Sequence, residues 1–270
     1  SRNHFEILTE AKNLVSMGAK EITVIAQDTS KYGTDLNNNY YIHNLLHDIS
    51  LIEGVKLVRV LYLYPDEITD ELIEEVSKNT KIAPYFDIPI QHASNKMLVA
   101  MNRRGDQELI RNLIKKIRTK IPHAIIRTTL ITGFPGETED DFLVMKNFVK
   151  EMKFNRLGVF AYSDEEGTKA YDFEPKIDSE IANKRKDEIM SLQQEISKEL
   201  NKQEVGKTYE VIIDNYDYSK KAYLARNYAY APDDADGYIY VVTNKELIVG
   251  NIYTVEITDY TTYELKAKLI

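Results

Sequence analysis

Apolar and polar positions along this chain switch repeatedly between two periods. Phe5, Ile7, Leu8, Ala11, Leu14 and Val15 recur at helical spacing and Gly18 ends the run, which predicts an amphipathic helix. A β-branched run from Glu21 to Ala26 follows and predicts a strand. The exchange then continues down the chain. Strands are expected over 57–63, 85–90, 124–131 and 156–161, and helices over about 40–50, 69–78, 138–152 and 179–202. A further helix starts at Asp106, carries Leu109, Ile110, Leu113, Ile114 and Ile117 on one side, and is stopped by Pro122. Such alternation demands a parallel sheet, and successive right-handed crossovers curl it into a barrel or part of one. The expectation is an α/β fold, a partial (β/α) barrel over residues 1–203. The first helix lacks the strand that should precede it, so the pattern is expected to begin inside a larger fold.

The stretch from Tyr85 to Arg104 is the most distinctive. Tyr85 to Ile90 is a short apolar run broken by Pro84 and Pro89, as in a buried strand. Gln91 and His92 end it. A helix follows, capped by Ser94 or Asn95, with Leu98, Val99 and Met101 facing inward and Gly105 as its stop. Polar residues at the C-terminal end of a barrel strand line active sites, which makes Gln91 and His92 candidates. A helix-capping Gln91 and a packing His92 account for the pair equally well. Gly133-Phe-Pro-Gly136-Glu137-Thr138 places two glycines before a helix start, where backbone approaches a ligand closely. A tight turn before a capped helix fits the same residues.

After Val205 the period becomes two. Segments 208–213, 222–226, 237–243, 253–260 and 263–270 alternate tyrosine and β-branched residues, predicting a small closed antiparallel barrel over 204–270. It holds eleven of the chain's nineteen tyrosines, residues suited to stacking bases and equally to forming strands. Seven basic and ten acidic residues leave this segment acidic, with Asp233, Asp234 and Asp236 in one turn. Phosphates repel such a surface. The three aspartates are therefore expected to dock a basic protein, or else simply to keep the domain soluble.

Composition narrows the chemistry. The chain has 270 residues, 43% of them apolar, and a net charge of −8. That size allows one large domain with a small one. No apolar run approaches the ~20 residues of a membrane span. The opening segment is an amphipathic helix, not the apolar core of a signal peptide, so a cytoplasmic location is expected. Cysteine is absent, which excludes disulfides and thiolate metal sites within these residues. His43 and His47, four apart on a helix, suit a metal or, more simply, a solvated face. Asp164-Glu165-Glu166 reads as an exposed loop.

Four segments together resemble one family. They are Ile25-Ala-Gln27-Asp28-Thr29-Ser-Lys-Tyr32-Gly33, Asp87-Ile-Pro-Ile-Gln91-His92-Ala-Ser94, Met101-Asn-Arg103-Arg104-Gly105, and Arg127-Thr128-Thr129-Leu-Ile-Thr-Gly133-Phe-Pro-Gly136-Glu137-Thr138. Over essentially its whole length the chain resembles the radical S-adenosylmethionine methylthiotransferases. Its likeness is to the branch that methylthiolates an aspartate of a small-subunit ribosomal protein. The transfer-RNA branch typically carries Gln-Asn-Val where this chain has Gln27-Asp28-Thr29, Gln-Ser-Gly near Gln91-His92-Ala93, and Ser-Thr-Asp near Arg127-Thr128-Thr129. The rival readings are a transfer-RNA methylthiotransferase and a non-catalytic adapter that binds ribosomal components.

The resemblance implies a TIM-like radical S-adenosylmethionine barrel followed by a TRAM domain. It implies S-adenosylmethionine and two 4Fe–4S clusters in the full-length enzyme, a basic ribosomal protein as partner, and an electron donor. The family's C-x-x-x-C-x-x-C loop is missing, so these residues are expected to bind no cluster and to be inactive alone. Its pattern sets Gln27 near the methionine amino group, Gln91 or His92 at the ribose or carboxylate, and Arg127 or Arg103 at the carboxylate. Ile131 to Gly133, with Glu137 close by, and Phe160 to Tyr162 would flank the adenine. For Arg127 an internal ion pair with Asp28 or Glu137 is the alternative, and for Arg103 a solvated helix end.

Overall fold

Five parallel strands form an open curved sheet with helices on its outer face. The computed structural model describes residues 1–36, 39–232 and 236–270. The elements are α1 (His4–Ser16), β1 (Glu21–Val24), α2 (Ile42–Ser50), β2 (Leu57–Val60), α3 (Asp70–Lys78), β3 (Tyr85–Asp87), α4 (Asn95–Ala100), α5 (Gln107–Lys120), β4 (Ile125–Thr132), α6 (Glu139–Met152), β5 (Arg156–Ala161) and α7 (Ser179–Lys202). β1 pairs with β2, and β3 with β4 and β5, all in parallel. Ala83 N–H donates to the Val58 carbonyl at 2.8 Å and Leu63 N–H to the Asp87 carbonyl at 2.8 Å, which joins the two sets in order β1 to β5.

Period two sorts each strand between two environments. Along β4, Ile126, Thr128, Leu130 and Thr132 are buried towards the helices, while Ile125, Arg127, Thr129 and Ile131 on the inner face are half-buried. Ile126 and Leu130 join one core with Leu45, Leu46, Leu72, Ile114, Phe148 and Ile189 from the helices. Helix starts obey their caps: Thr138 accepts from Asp141 N–H while the Asp141 carboxylate takes Thr138 N–H, a capping box. Ser94 makes no such cap bond. On α4 the inward residues are Met97 and Leu98, while Val99 is 75% exposed. Helix α4 is too short for the expected register to extend to Met101, which is its C-cap.

The second body is β6 (Thr208–Asp217), β7 (Ala222–Arg226), β8 (Ile239–Val242), β9 (Ile252–Tyr260) and β10 (Leu265–Leu269). These close in the order β10-β8-β7-β6-β9. The ring is not wholly antiparallel, because β8 and β10 run parallel. An odd-membered ring cannot alternate direction all the way round, so one pair has to match. Its tyrosines serve mainly the fold. Tyr223 and Tyr253 hydroxyls accept the Leu247 and Ile248 amides, Tyr240 bonds Glu264, and Tyr230 is buried.

The loop after β7 packs on the inner face of the sheet, against the starts of β3 and β4 and against Leu61 just past β2. Leu61, Ala83 and Tyr85 meet Ala231 there, with Ile125 and Tyr228 beside them. Arg59 is completely buried in this seam. Its Nε donates to Glu21 Oε1 at 2.7 Å, and Nη1 and Nη2 donate to the Tyr228 and Asn227 carbonyls at 2.8 and 3.2 Å. Its guanidinium also lies 4.7 Å from the centre of the Tyr85 ring. Glu21 is shared with Arg226 at 2.8 Å, and Arg226 grips Asp214 with two hydrogen bonds. Removing one partner of a buried pair strands the others. Arg59→Ala is expected to destabilise the protein by about 3–5 kcal/mol, read by chemical denaturation. A loss below about 1 kcal/mol would contradict this account of the seam.

Candidate functional site

The loop after β7 lies against the starts of β3 and β4, and the groups expected to meet a ligand gather at the C-terminal mouth. Ile25, Ala26 and Gln27 are exposed just past β1. Tyr62 stands past β2, Gln91 past β3, Ile131 near the end of β4, and Phe160 near the end of β5. Gln91 and Tyr62 both hold left-handed backbone, φ 69° and 59°. Gln91 keeps the ladder alive on one side, its N–H donating to Thr129 and its carbonyl accepting from Ile131 at 2.9 and 2.8 Å. Tyr62 N–H donates to Asp87 Oδ2 at 3.1 Å, and its carbonyl accepts from Thr29 N–H at 3.0 Å.

Arg103 lies at the same mouth, over the Tyr64 ring at 4.9 Å. Its neighbours differ from it. Arg104 is spent on Asp66 and Glu67, and Lys31 on Asp28 and Glu67. Among the described residues Arg103 has no carboxylate partner. Tyr162 packs edge-on against Phe134 at 5.1 Å, and burial together with the Asp164 carboxylate raises its phenol pKa.

Three expected contacts turn out to be structural. His92 is fully buried, and its Nδ1 accepts the Ala93 and Ser94 amides, both at 2.9 Å. Those two bonds make Nε2 the protonated nitrogen, and it faces Glu137 Oε2 at 3.3 Å. His92 thus ties down the turn that leads into α4, and both its ring nitrogens are engaged within the fold. Glu137, also buried, takes Arg185 Nη1 at 2.7 Å and Gly133 N–H at 3.1 Å, tying its loop to α7. Gly133 holds φ 75°, and a Cβ there would sit 2.3 Å from Ala182 Cβ. Its close approach is to helix α7, not to a ligand.

Arg127 is on the inner face but lies well below the mouth, level with Asp87. Its partner is Asp87 at 3.6 Å, not Asp28 or Glu137. Burial raises the Asp87 pKa, Arg127 opposes that, and the Tyr62 amide donates to the same carboxylate. Arg127 therefore supports Tyr62 through Asp87. Asp233 and Asp234 fall outside the described residues. Asp236 is no docking residue, because it is buried in the seam, accepting Tyr85 Oη at 2.6 Å and Ala231 N–H at 2.8 Å. His47 is occupied by Glu75 at 2.9 Å. Among the described residues no group of three or more His, Asp or Glu side chains is placed to hold a metal ion.

Sequence reading places Tyr62 to Tyr64 among the distinctive loops at strand C-termini, and it missed Asp87 and Arg59 as organising residues. Asp87 offered one signal, a carboxylate inside the otherwise apolar run 85–90. Arg59 offered the same signal within 57–63.

A model of the radical SAM superfamily matches residues 3–149, and a TRAM domain model matches residues 205–270. The chain is 48% identical over 265 residues to a ribosomal protein uS12 methylthiotransferase RimO of Clostridium botulinum strain Loch Maree, covering 98% of this chain and 59% of that protein. It is 47% identical over 270 residues to the RimO of Clostridioides difficile strain 630, covering 100% of this chain and 60% of the relative. The chain thus spans about three fifths of the length of the curated relatives it matches. Among solved structures, the radical S-adenosylmethionine methyltransferase TsrM from Kitasatospora setae superposes with a TM-score of 0.48 at 13% identity, over 60% of this chain and 31% of that one. By the model that covers more than half of its residues, the chain belongs to the radical SAM superfamily.

Proposed function

We propose that this chain is the S-adenosylmethionine-binding barrel and terminal small barrel of an enzyme that methylthiolates an aspartate of ribosomal protein uS12. The observation that carries the reading is 48% identity across 98% of the chain to a protein named for that activity. Among the groups at the mouth, Arg103 is a cation without a carboxylate partner, suited to the methionine carboxylate. The Gln27 and Gln91 amides suit the amino group and the ribose, and Ile131 and Phe160 offer apolar surface to the adenine. When bound, S-adenosylmethionine supplies the radical and methyl chemistry, while these residues orient it.

A 4Fe–4S cluster does not fit these 270 residues, because its irons need thiolate ligands and there is no cysteine. In the proposed enzyme, the cluster ligands lie in the part of the relatives' length that this chain does not span. A basic ribosomal protein as substrate, an electron donor and a cytoplasmic site of action belong to the same reading.

The test is to join these 270 residues to the part of the Clostridioides difficile relative that they do not span, and to express the chimera in cells deleted for their own uS12 methylthiotransferase. Mass spectrometry should then find methylthiolated aspartate in uS12 and unchanged transfer RNA. Modified transfer RNA with unmodified uS12, or neither product, would overturn the proposal. Separately, Arg103→Ala should weaken S-adenosylmethionine binding by about 10- to 100-fold in calorimetry, since a charge-assisted hydrogen bond contributes roughly 1.5–3 kcal/mol. Unchanged affinity would remove Arg103 from that role.

A further inference from the structure

Tyr62 occupies a conformation that its own side chain does not favour. Its φ of 59° is left-handed backbone. For a residue with a Cβ this costs roughly 1–2 kcal/mol, and glycine avoids the cost. The backbone enforces it from both sides, through Asp87 Oδ2 on the amide and Thr29 N–H on the carbonyl. The flanking residues are fixed as well. Leu61 N–H donates to the Val24 carbonyl at 3.1 Å, and Leu63 N–H to the Asp87 carbonyl at 2.8 Å. This clamp would hold any residue in the same way, so the fold asks for glycine here and has tyrosine.

The ring is only partly used within the fold. It is 44% exposed, and its hydroxyl has no hydrogen-bond partner among the described residues. Backbone strain held at a strand end gathers at functional sites. One further apolar side chain not assigned to the cofactor is bared at the same mouth, Ile25 on the β1 side, 60% exposed. The polar groups suited to a small charged cofactor, Gln27, Gln91 and Arg103, stand on neighbouring loops. An exposed apolar rim around a polar site suits a protein segment entering the mouth. Tyrosine supplies a large rigid face, and its hydroxyl can bond to peptide backbone.

We infer that Tyr62 is a positioning residue for the acceptor: it contacts the aspartate-bearing segment of the protein substrate and steers that segment into the mouth. This rests on the uS12 reading above. Asp87 and Arg127 are its support, since the carboxylate that pins the Tyr62 amide is the one paired with Arg127 at 3.6 Å.

The experiment compares the 270-residue chain with its Tyr62→Gly and Tyr62→Phe variants. Calorimetry measures binding of purified unmodified uS12, and thermal unfolding measures stability. Tyr62→Gly should unfold at the same or a higher temperature while binding uS12 at least about tenfold more weakly, a difference of roughly 1.4 kcal/mol. Tyr62→Phe should keep most of the affinity. Equal binding by Tyr62→Gly would overturn the inference and leave the uS12 reading standing, and a lowered unfolding temperature would overturn the strain on which it rests. If the parent chain binds no uS12, the reading and the inference fall together.

Discussion

Everything in this molecule is arranged around a guanidinium that water cannot reach. Arg59 projects from β2 into the seam between the open sheet and the small barrel, with no exposed surface. A buried charge survives only if it is paired and its donors are satisfied. Arg59 draws those partners from both bodies: Glu21 from β1, and the Asn227 and Tyr228 carbonyls from the small barrel. Arg226 reaches back to Glu21 from the other side. Neither body can satisfy these groups alone, so the seam fixes their relative orientation. It also packs the loop after β7 against the starts of β3 and β4.

That seam assigns work by height along the strands. At the floor, charges neutralise one another, Arg59 with Glu21 and Arg226 with Asp214, and the neutral Tyr85 hydroxyl donates to Asp236. One level up, Arg127 and Asp87 form a looser pair that reaches the Tyr62 amide. At the mouth, Arg103 has no carboxylate partner among the described residues, and the backbone of Tyr62 and Gln91 is left-handed. Stability is concentrated below and reactivity above. A binding site on rigid strands needs that separation, because its polar groups must wait for a ligand instead of satisfying each other. The buried triad of His92, Glu137 and Arg185 performs the complementary task from the outer side, holding the loop after β4 against α7.

Much of this was legible from pattern. The five strands, the helices between them and the terminal small barrel follow from hydrophobic period, and Thr138 caps α6 as its sequence implies. What pattern could not supply was partnership across the chain. The spacing around His92 is compatible with a ligand contact or a packing role, and only the two amides on Nδ1 and Glu137 on Nε2 decide for packing. Arg127 sits on the inward-facing period of β4, but nothing local says that Asp87 lies beside it. Asp236 looked like part of an acidic turn. Its partner Tyr85 is 151 residues away and draws it into the seam. Tyr62 gave no sign of its backbone state, since a left-handed tyrosine is not written in any propensity.

The central claim is that ligands reach this protein only through the strand C-termini while the seam stays shut. Hydrogen–deuterium exchange with and without S-adenosylmethionine and uS12 tests this directly. Added protection is predicted in residues 25–29, 61–64 and 102–104, with unchanged exchange in Asn227 to Ala231 and at Arg59. Protection that appears in the seam while the mouth continues to exchange freely would contradict it.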